Sequence, residues 1–215
     1  MISVIIPACN EEKYMEETIK SIKDEMSEHE IIVVSDASTD STDKIAMKHA
    51  DKFLRLEKRS GPAGAKNAGA KLAKGEILVF LDADTRLTKG VLEEIKKVTR
   101  DNVVGTCKII PAEKKVKHRI AMSFKNTFVC PFGVSNGIVF CTKETFQKYG
   151  EYAAVKKQED GFFVRKVKRE GKFVVIKRPV ISSMRRFEKL GYLGVGKYWL
   201  KESLKPSNED YPVIR

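Results

Sequence analysis

The sequence predicts an α/β protein, a single domain built on a mostly parallel sheet with helices on both faces. Three observations carry this. Up to about residue 100, short β-branched runs alternate with segments of helical periodicity. The apolar runs are continuous rather than alternating in polarity, as in strands covered on both faces. The 215 residues suffice for one substantial core, and no internal repeat or low-complexity linker divides them.

Each element follows from its residues. Residues 2–7, ISVIIP, make a buried strand that ends in proline. Residues 11–24 carry Tyr14, Met15, Thr18, Ile19 and Ile22 at helical spacing. Residues 30–35, EIIVVS, make a second buried strand, and residues 41–50 a helix capped by Asp40 or Ser41. A short strand at 52–56 precedes a small-residue helix at 62–73, PAGAKNAGAKLA, suited to close packing on a sheet. A fourth strand, 76–81, is followed by a helix at 88–98 and a strand at 103–110.

The second half is less regular. Residues 111–129 are basic and mix helix with loop. A strand at 137–141, helices at 142–149 and 158–170, and a strand at 173–176 follow. Residues 186–204 read as an aromatic, basic, mostly helical tail, weakened as a helix by Gly191, Gly194 and Gly196.

Composition narrows the class. Hydrophobic residues are 42% of the chain and aromatic residues 8%, ordinary for a globular protein. Cys9, Cys107, Cys130 and Cys141 never form CxxC, and none of the three histidines is near one. Reduced buried thiols in a cytoplasmic protein are therefore expected, and a zinc site is not. The chain enters a strand pattern at Ile2 with no basic stretch before an apolar core, unlike a secretion signal. The longest uncharged run, residues 126–142, contains Pro131, Gly133 and Gly137, so no membrane span is expected. The net charge of +12 leaves two readings open. It suits anionic partners such as nucleic acid, membrane or phosphorylated substrates, or it reflects solubility or a high-temperature lifestyle.

In an open parallel sheet, ligands bind beyond the carboxyl ends of the strands. Three loops there are acidic or hydroxyl-rich: CNEE, DASTDST and DADT. In ILVFLDADT an apolar strand closes on Asp82 and Asp84. Two residues apart in an extended segment, they point the same way, and hard oxygen ligands of this kind suit Mg²⁺ or Mn²⁺ completed by phosphate oxygens. A cap or surface turn is the ordinary reading of Asp-x-Asp; the apolar strand and the neighbouring polar loops favour a site. There is no GxxxxGK[ST], and no GxGxxG after the first strand. Gly61-Pro62 opens a helix whose N-terminus suits an anion, with Lys66 adding charge; close packing accounts equally well for Gly61, Gly64 and Gly69.

SVIIPACNEE, IIVVSDASTDST and GPAGAKNAGAKLAKGEILVFLDADT together resemble the nucleotide-binding half of family 2 glycosyltransferases of the GT-A fold. GIVFCTKETFQKYGEY and QEDGFFVRKVKREGKF are similar to that family's acceptor half. The resemblance covers roughly residues 1–177. It divides the chain into a nucleotide-sugar half (1–100), an acceptor half (101–185) and a C-terminal helical tail (186–215).

The resemblance implies an inverting enzyme of the hexosyl-transferring class. Its donor is a nucleotide-diphosphosugar, such as a UDP- or GDP-sugar, and its acceptor a sugar or lipid-linked hydroxyl or phosphate. Pro7, Ala8, Asn10, Glu11 and Asp36 correspond to positions that hold base and ribose. Asp82 and Asp84 correspond to the pair that binds cation and sugar nucleotide, with Asp84 as direct ligand. Lys66 stands where the family often has a basic residue near the donor. Asp160, in Glu159-Asp160, corresponds to the catalytic base; a bare sequence reading makes these two first-turn charges favoured by the helix dipole. Where some relatives place a metal-binding histidine, this chain has Met184, a poor ligand for either ion. Arg185 and Arg186 then suit the diphosphate, or form a solvated basic turn. QxxRW and membrane helices are absent, which favours single-sugar transfer over processive synthesis. The tail suits either peripheral contact with the cytoplasmic membrane face or packing on the domain. A nucleotidyltransferase, or a basic nucleic-acid-binding module, is the alternative. The first lacks its Gly-rich loop and the second any recognised motif, so no nucleic-acid partner is expected.

Overall fold

The computed structural model describes residues 1–153 and 159–204, with the side chains of the last helix described as far as residue 195. The first half alternates as expected: β1 (Ile2–Ala8), α1 (Glu12–Lys23), β2 (His29–Asp36), α2 (Thr42–His49), β3 (Lys52–Leu56), α3 (Gly61–Leu72) and β4 (Ile77–Leu81). Then come a short β5 (Thr85–Leu87), α4 (Val91–Val98) and β6 (Val103–Pro111). α5 (Val116–Phe124) runs on through a π-helical turn (Lys125–Val129) and a 3₁₀ turn (Cys130–Phe132). β7 (Ile138–Thr142), α6 (Lys143–Tyr149), α7 (Glu159–Lys168), β8 (Lys172–Ser182) and α8 (Arg185–Leu204) complete the chain. Gln158, expected to open the α7 helix, lies outside the described residues.

The sheet has eight strands in the order β3-β2-β1-β4-β7-β6-β8-β5. β1 pairs in parallel with β2 and β4, β2 with β3, and β6 with β8. Only β7 and β5 run against the rest among the described strands. Two apolar clusters cover the two faces. Ile2, Val4 and Ile6 of β1 join Met15 and Ile19 of α1 and Leu92 of α4 on one side. Ile5 of the same strand joins Ala63 and Ala70 of α3 and Phe163 of α7 on the other. The small residues of α3 have a specific use: a Cβ on Gly69 would stand 2.4 Å from Ile5 Cγ2. The helix approaches the sheet as closely as glycine permits.

Three elements differ from expectation. β5 lies where loop leading to a helix was expected, and α4 starts three residues later than the expected residue 88. β8 is 11 residues long, against the expected four at 173–176. Lys177-Arg178-Pro179 breaks its apolar run, and there the pairing register shifts: Ile176 faces Cys107 while Pro179 faces Lys108. A bulge absorbs the polar pair, and pairing resumes beyond it. α8 is broken at Gly191, whose φ of 68° is left-handed.

Cys107, Cys130 and Cys141 are buried free thiols, and Cys9 is partly exposed. No described helix is long and apolar enough to cross a membrane.

Candidate active site

β1, β2 and β4 are adjacent and parallel, so the loops at their carboxyl ends meet at one edge of the sheet. Pro7 and Ala8 close β1. The next residues tie the first loop to the second: Thr39 N donates to Asn10 Oδ1 at 2.7 Å, and Asn10 N to Ser38 Oγ at 3.2 Å. Asn10 adopts a left-handed φ of 59°, a conformation asparagine tolerates better than most residues. Glu11 N donates to Thr42 Oγ1 at 2.8 Å. A cleft of about 120 Å³ opens here, lined by Asn10, Glu12, Lys13, Tyr14, Asp40 and Arg185.

Asp36, at the end of β2, turns toward α3. It accepts from Ser60 N at 2.7 Å, Ser60 Oγ at 3.0 Å and Gly61 N at 2.9 Å. The α3 N-terminus, expected to suit an anion, thus already holds the carboxylate of Asp36.

Two charge networks stand on either side of the β4 terminus. In the first, Arg185 at the start of α8 grips Glu11 with two bonds of 2.9 and 2.6 Å, and its Nε reaches Asp84 Oδ2 at 3.0 Å. Arg185 also lies over the ring of Tyr14, 4.8 Å from its centroid. Burial raises the proton affinity of Glu11 and Asp84, and Arg185 opposes it. For Arg185 itself burial acts downward, and the hydrogen bond to Glu11 and the charge of Asp84 more than reverse it.

In the second network, Lys66 rises from α3 with its side chain 2% exposed and donates to Glu159 at 2.8 Å and Asp160 at 2.6 Å. Its ammonium also lies 5.1 Å from the centre of the Tyr152 ring. Burial would favour neutral Lys66, but the charges of Asp160 and Glu159 hold it protonated. Asp160 keeps its other oxygen for the Ser135 hydroxyl, at 3.0 Å.

Asp82 lies between the networks. Burial pushes it up to about 6, with Lys66 opposing the rise and Asp160 and Asp84 adding to it. Its backbone N–H donates to Gly137 O at 2.8 Å. A Cβ on Gly137, whose φ is 75°, would stand 2.6 Å from Thr85 Oγ1 and 3.5 Å from Asp82 Oδ2. The absent side chain leaves room beside the carboxylate.

Asp82 and Asp84 stand on a turn, closed by Thr85 N donating to Asp82 O at 3.0 Å, and not on the extended segment expected. As two hard carboxylates just past one strand they still fit Mg²⁺ or Mn²⁺. Among the described residues no cluster of three or more His, Cys, Asp or Glu side chains is arranged to hold a metal. A cation here would need oxygen atoms from its ligand, as Mg²⁺ does when it binds with substrate phosphates. Met184 offers nothing, since it is 1% exposed and packs with Ile109 and Met122.

A family model described as "Glycosyl transferase family 2" matches residues 3–158. The chain belongs to this family. Relatives similar to it include the putative teichuronic acid biosynthesis glycosyltransferase TuaG of Bacillus subtilis, 36% identical over 100 residues, 44% of this chain and 40% of TuaG. Another is the GalNAc(5)-diNAcBac-PP-undecaprenol beta-1,3-glucosyltransferase of Campylobacter jejuni, 36% identical over 118 residues, 50% of this chain and 38% of that one. The matched stretch spans well under half the length of these curated relatives.

Two solved structures share the fold. TarS of S. aureus in complex with UDP-GlcNAc superimposes with a TM-score of 0.68 at 22% identity, over 85% of this chain and 58% of that one. The mannosyltransferase PcManGT of Pyrobaculum calidifontis, in complex with GDP-Man and Mn²⁺, gives 0.70 at 18%, over 93% and 64%. The mixed, mostly parallel sheet is thus that of the GT-A glycosyltransferases.

Sequence reasoning placed Arg185 only as one of two candidates for the diphosphate, and did not foresee its grip on Glu11 and Asp84. It missed Ser135, Gly137 and Thr85. Ser135 lies in an irregular stretch with no periodicity to orient it, Gly137 reads only as the first residue of a strand, and Thr85 follows the acidic pair as an ordinary turn residue would.

Proposed function

We propose that this chain is the catalytic domain of an inverting glycosyltransferase that moves one sugar from a nucleotide-diphosphosugar to an acceptor hydroxyl or lipid phosphate. One observation carries the reading. Glu11, Asp82, Asp84 and Asp160, drawn from distant parts of the sequence, converge at the carboxyl edge of β1 and β4 with Arg185 and Lys66 as their counter-ions.

Asp84 and Asp82 are the residues that would hold Mg²⁺ or Mn²⁺. When bound, the cation supplies neutralising charge for the departing diphosphate. Arg185 lies close enough to Asp84 to add a second positive charge at the same place. The β1 and β2 loops, with Pro7, Ala8, Asn10 and Glu11, form the wall for base and ribose. Asp36, at the end of β2, is the further position for base and ribose, its carboxylate held by the amides of Ser60 and Gly61.

Asp160 is the base for a hydroxyl acceptor. Its carboxylate takes the hydroxyl proton as the acceptor oxygen forms its bond to the anomeric carbon. The bond from that carbon to the diphosphate oxygen breaks, and the nucleoside diphosphate leaves with the electron pair. A single displacement inverts the anomeric centre. Lys66 and Ser135 hold the carboxylate in one orientation. A phosphate acceptor is already ionised and makes no call on Asp160. TarS with UDP-GlcNAc and PcManGT with GDP-Man and Mn²⁺ support a UDP- or GDP-sugar donor.

The test is a screen of nucleotide sugars for cation-dependent binding and hydrolysis. Wild type should bind at least one donor with Mg²⁺ or Mn²⁺, and Asp84→Ala should lose about 10²-fold or more in turnover. Asp160→Asn should retain donor binding and lose transfer to a hydroxyl. Absence of donor binding with either ion would refute the reading.

A further inference from the structure

Helix α5 is amphipathic in the wrong sense for a helix that only packs on a core. His118 and Met122 face inward, 0% and 3% exposed. On the opposite side Val116, Ile120 and Phe124 are 69%, 66% and 59% exposed. At about 100° per residue these three make one outward stripe, with Lys117 and Arg119 on its two flanks.

Residues spaced by four drift about 40° around an α-helix at each step. The π-helical turn at Lys125–Val129 is wider and rotates the chain less per residue, so it offsets that drift. Phe128, 61% exposed, returns to the same side, its ring 5.0 Å from that of Phe124. Phe132, 77% exposed, follows on the 3₁₀ turn. From Val116 to Phe128 the ridge is about 18 Å long. Exposed apolar surface of this kind marks an interaction site.

Charge selects the partner. Residues 114–134 contain five Lys or Arg and no Asp or Glu. Lys115 is paired with Glu188 of α8 and Lys125 turns in toward Ser135, which leaves Lys114, Lys117 and Arg119 exposed beside the stripe. Phe132 also borders a hollow of about 590 Å³ whose charged lining is Arg165, Lys166, Lys168 and Arg169 with one carboxylate, Glu151. We propose that the α5 ridge is a membrane-docking face, its apolar stripe entering the headgroup region of an anionic bilayer and its flanking cations meeting lipid phosphates. The proposed contact is on α5; the end of the C-terminal tail, which was also expected to suit a membrane, lies outside the described residues. The ridge also adjoins the candidate site. Lys125 Nζ donates to Ser135 O at 3.4 Å, and Ser135 Oγ to Asp160 at 3.0 Å. A docked bilayer would lie beside the carboxylate proposed to meet the acceptor.

Membrane docking is independent of sugar transfer, so flotation of the full chain tests it without a donor. Vesicles of phosphatidylcholine with phosphatidylglycerol should carry the protein upward, and pure phosphatidylcholine vesicles or high salt should release it. Phe124→Ser with Phe128→Ser should weaken binding about tenfold or more while leaving the melting temperature unchanged, because both rings are exposed. Lys117→Glu with Arg119→Glu, which spares the apolar stripe, should also weaken binding to the anionic vesicles. Failure of the wild type to float, or equal flotation of the Phe double variant, overturns the proposal. A concentration-dependent dimer without lipid binding, dissolved by the same double variant, overturns it in favour of a second copy.

Discussion

Lys66 shows how one residue can tie two halves of a chain together. Its ammonium, on α3, neutralises Glu159 and Asp160 on α7, 93 and 94 residues away. Removing one partner from a buried ion network leaves uncompensated charge, at a cost of about 3–5 kcal/mol. Lys66→Met should lower the unfolding free energy by that order in urea titrations, and adding Glu159→Gln should recover part of the loss. An unchanged midpoint for Lys66→Met would contradict the ion pairs. Asp36 is a milder case, because its carboxylate satisfies two backbone N–H groups at the start of α3. Asp36→Ala should cost about 1–2 kcal/mol, read in the same titration. Both residues were legible as important. Their partners were not, because nothing local in the sequence pairs position 66 with 159, or 36 with 60.

At the scale of elements, two contacts govern how the first strands are held. Ala favours a helix over Gly by about 1 kcal/mol. In α3, however, Gly69→Ala would drive a methyl group to 2.4 Å from Ile5 Cγ2. Overpacking of this kind costs about 1–3 kcal/mol, so the variant should melt below wild type by differential scanning calorimetry in spite of the propensity gain. Glu30 on β2 joins three further elements: it accepts from Ser3 Oγ of β1 at 2.6 Å, Lys74 N after α3 at 2.6 Å and Lys52 of β3 at 2.8 Å. Burial acts to raise its pKa, but Lys52, Ser3 and the Lys74 amide together lower it from 4.5 to about 2. A depressed folded-state pKa stabilises above the unfolded value and loses that contribution as pH falls. Stability should therefore decline between about pH 4.5 and 2, and Glu30→Gln should flatten the decline in urea midpoints measured across that window. The β8 bulge belongs to this scale as well. A polar pair inside a strand is invisible to a reading based on apolar periodicity, and only its pairing with β6 reveals it.

For the whole molecule, the proposed donor should act as a staple between the nucleotide half and the start of α8, since Arg185 of α8 pairs with Glu11 and Asp84 at the site where the donor would bind. A ligand that binds only the folded state adds about 2.7 kcal/mol at a hundred times its dissociation constant. Thermal denaturation with a UDP- or GDP-sugar and Mn²⁺ should show a rise of several degrees that a chelator abolishes. The α/β class, the strand–helix alternation up to β4 and the acidic loops were settled by the sequence itself. Apolar periodicity is a local property, and strand-end carboxylates are conspicuous where it stops. The antiparallel insertion of β7, the Arg185 and Lys66 networks and the outward ridge of α5 came only with the tertiary structure. Each depends on which distant segments lie side by side, and the same lysines and phenylalanines serve a core, a salt bridge or a surface according to what the fold sets against them.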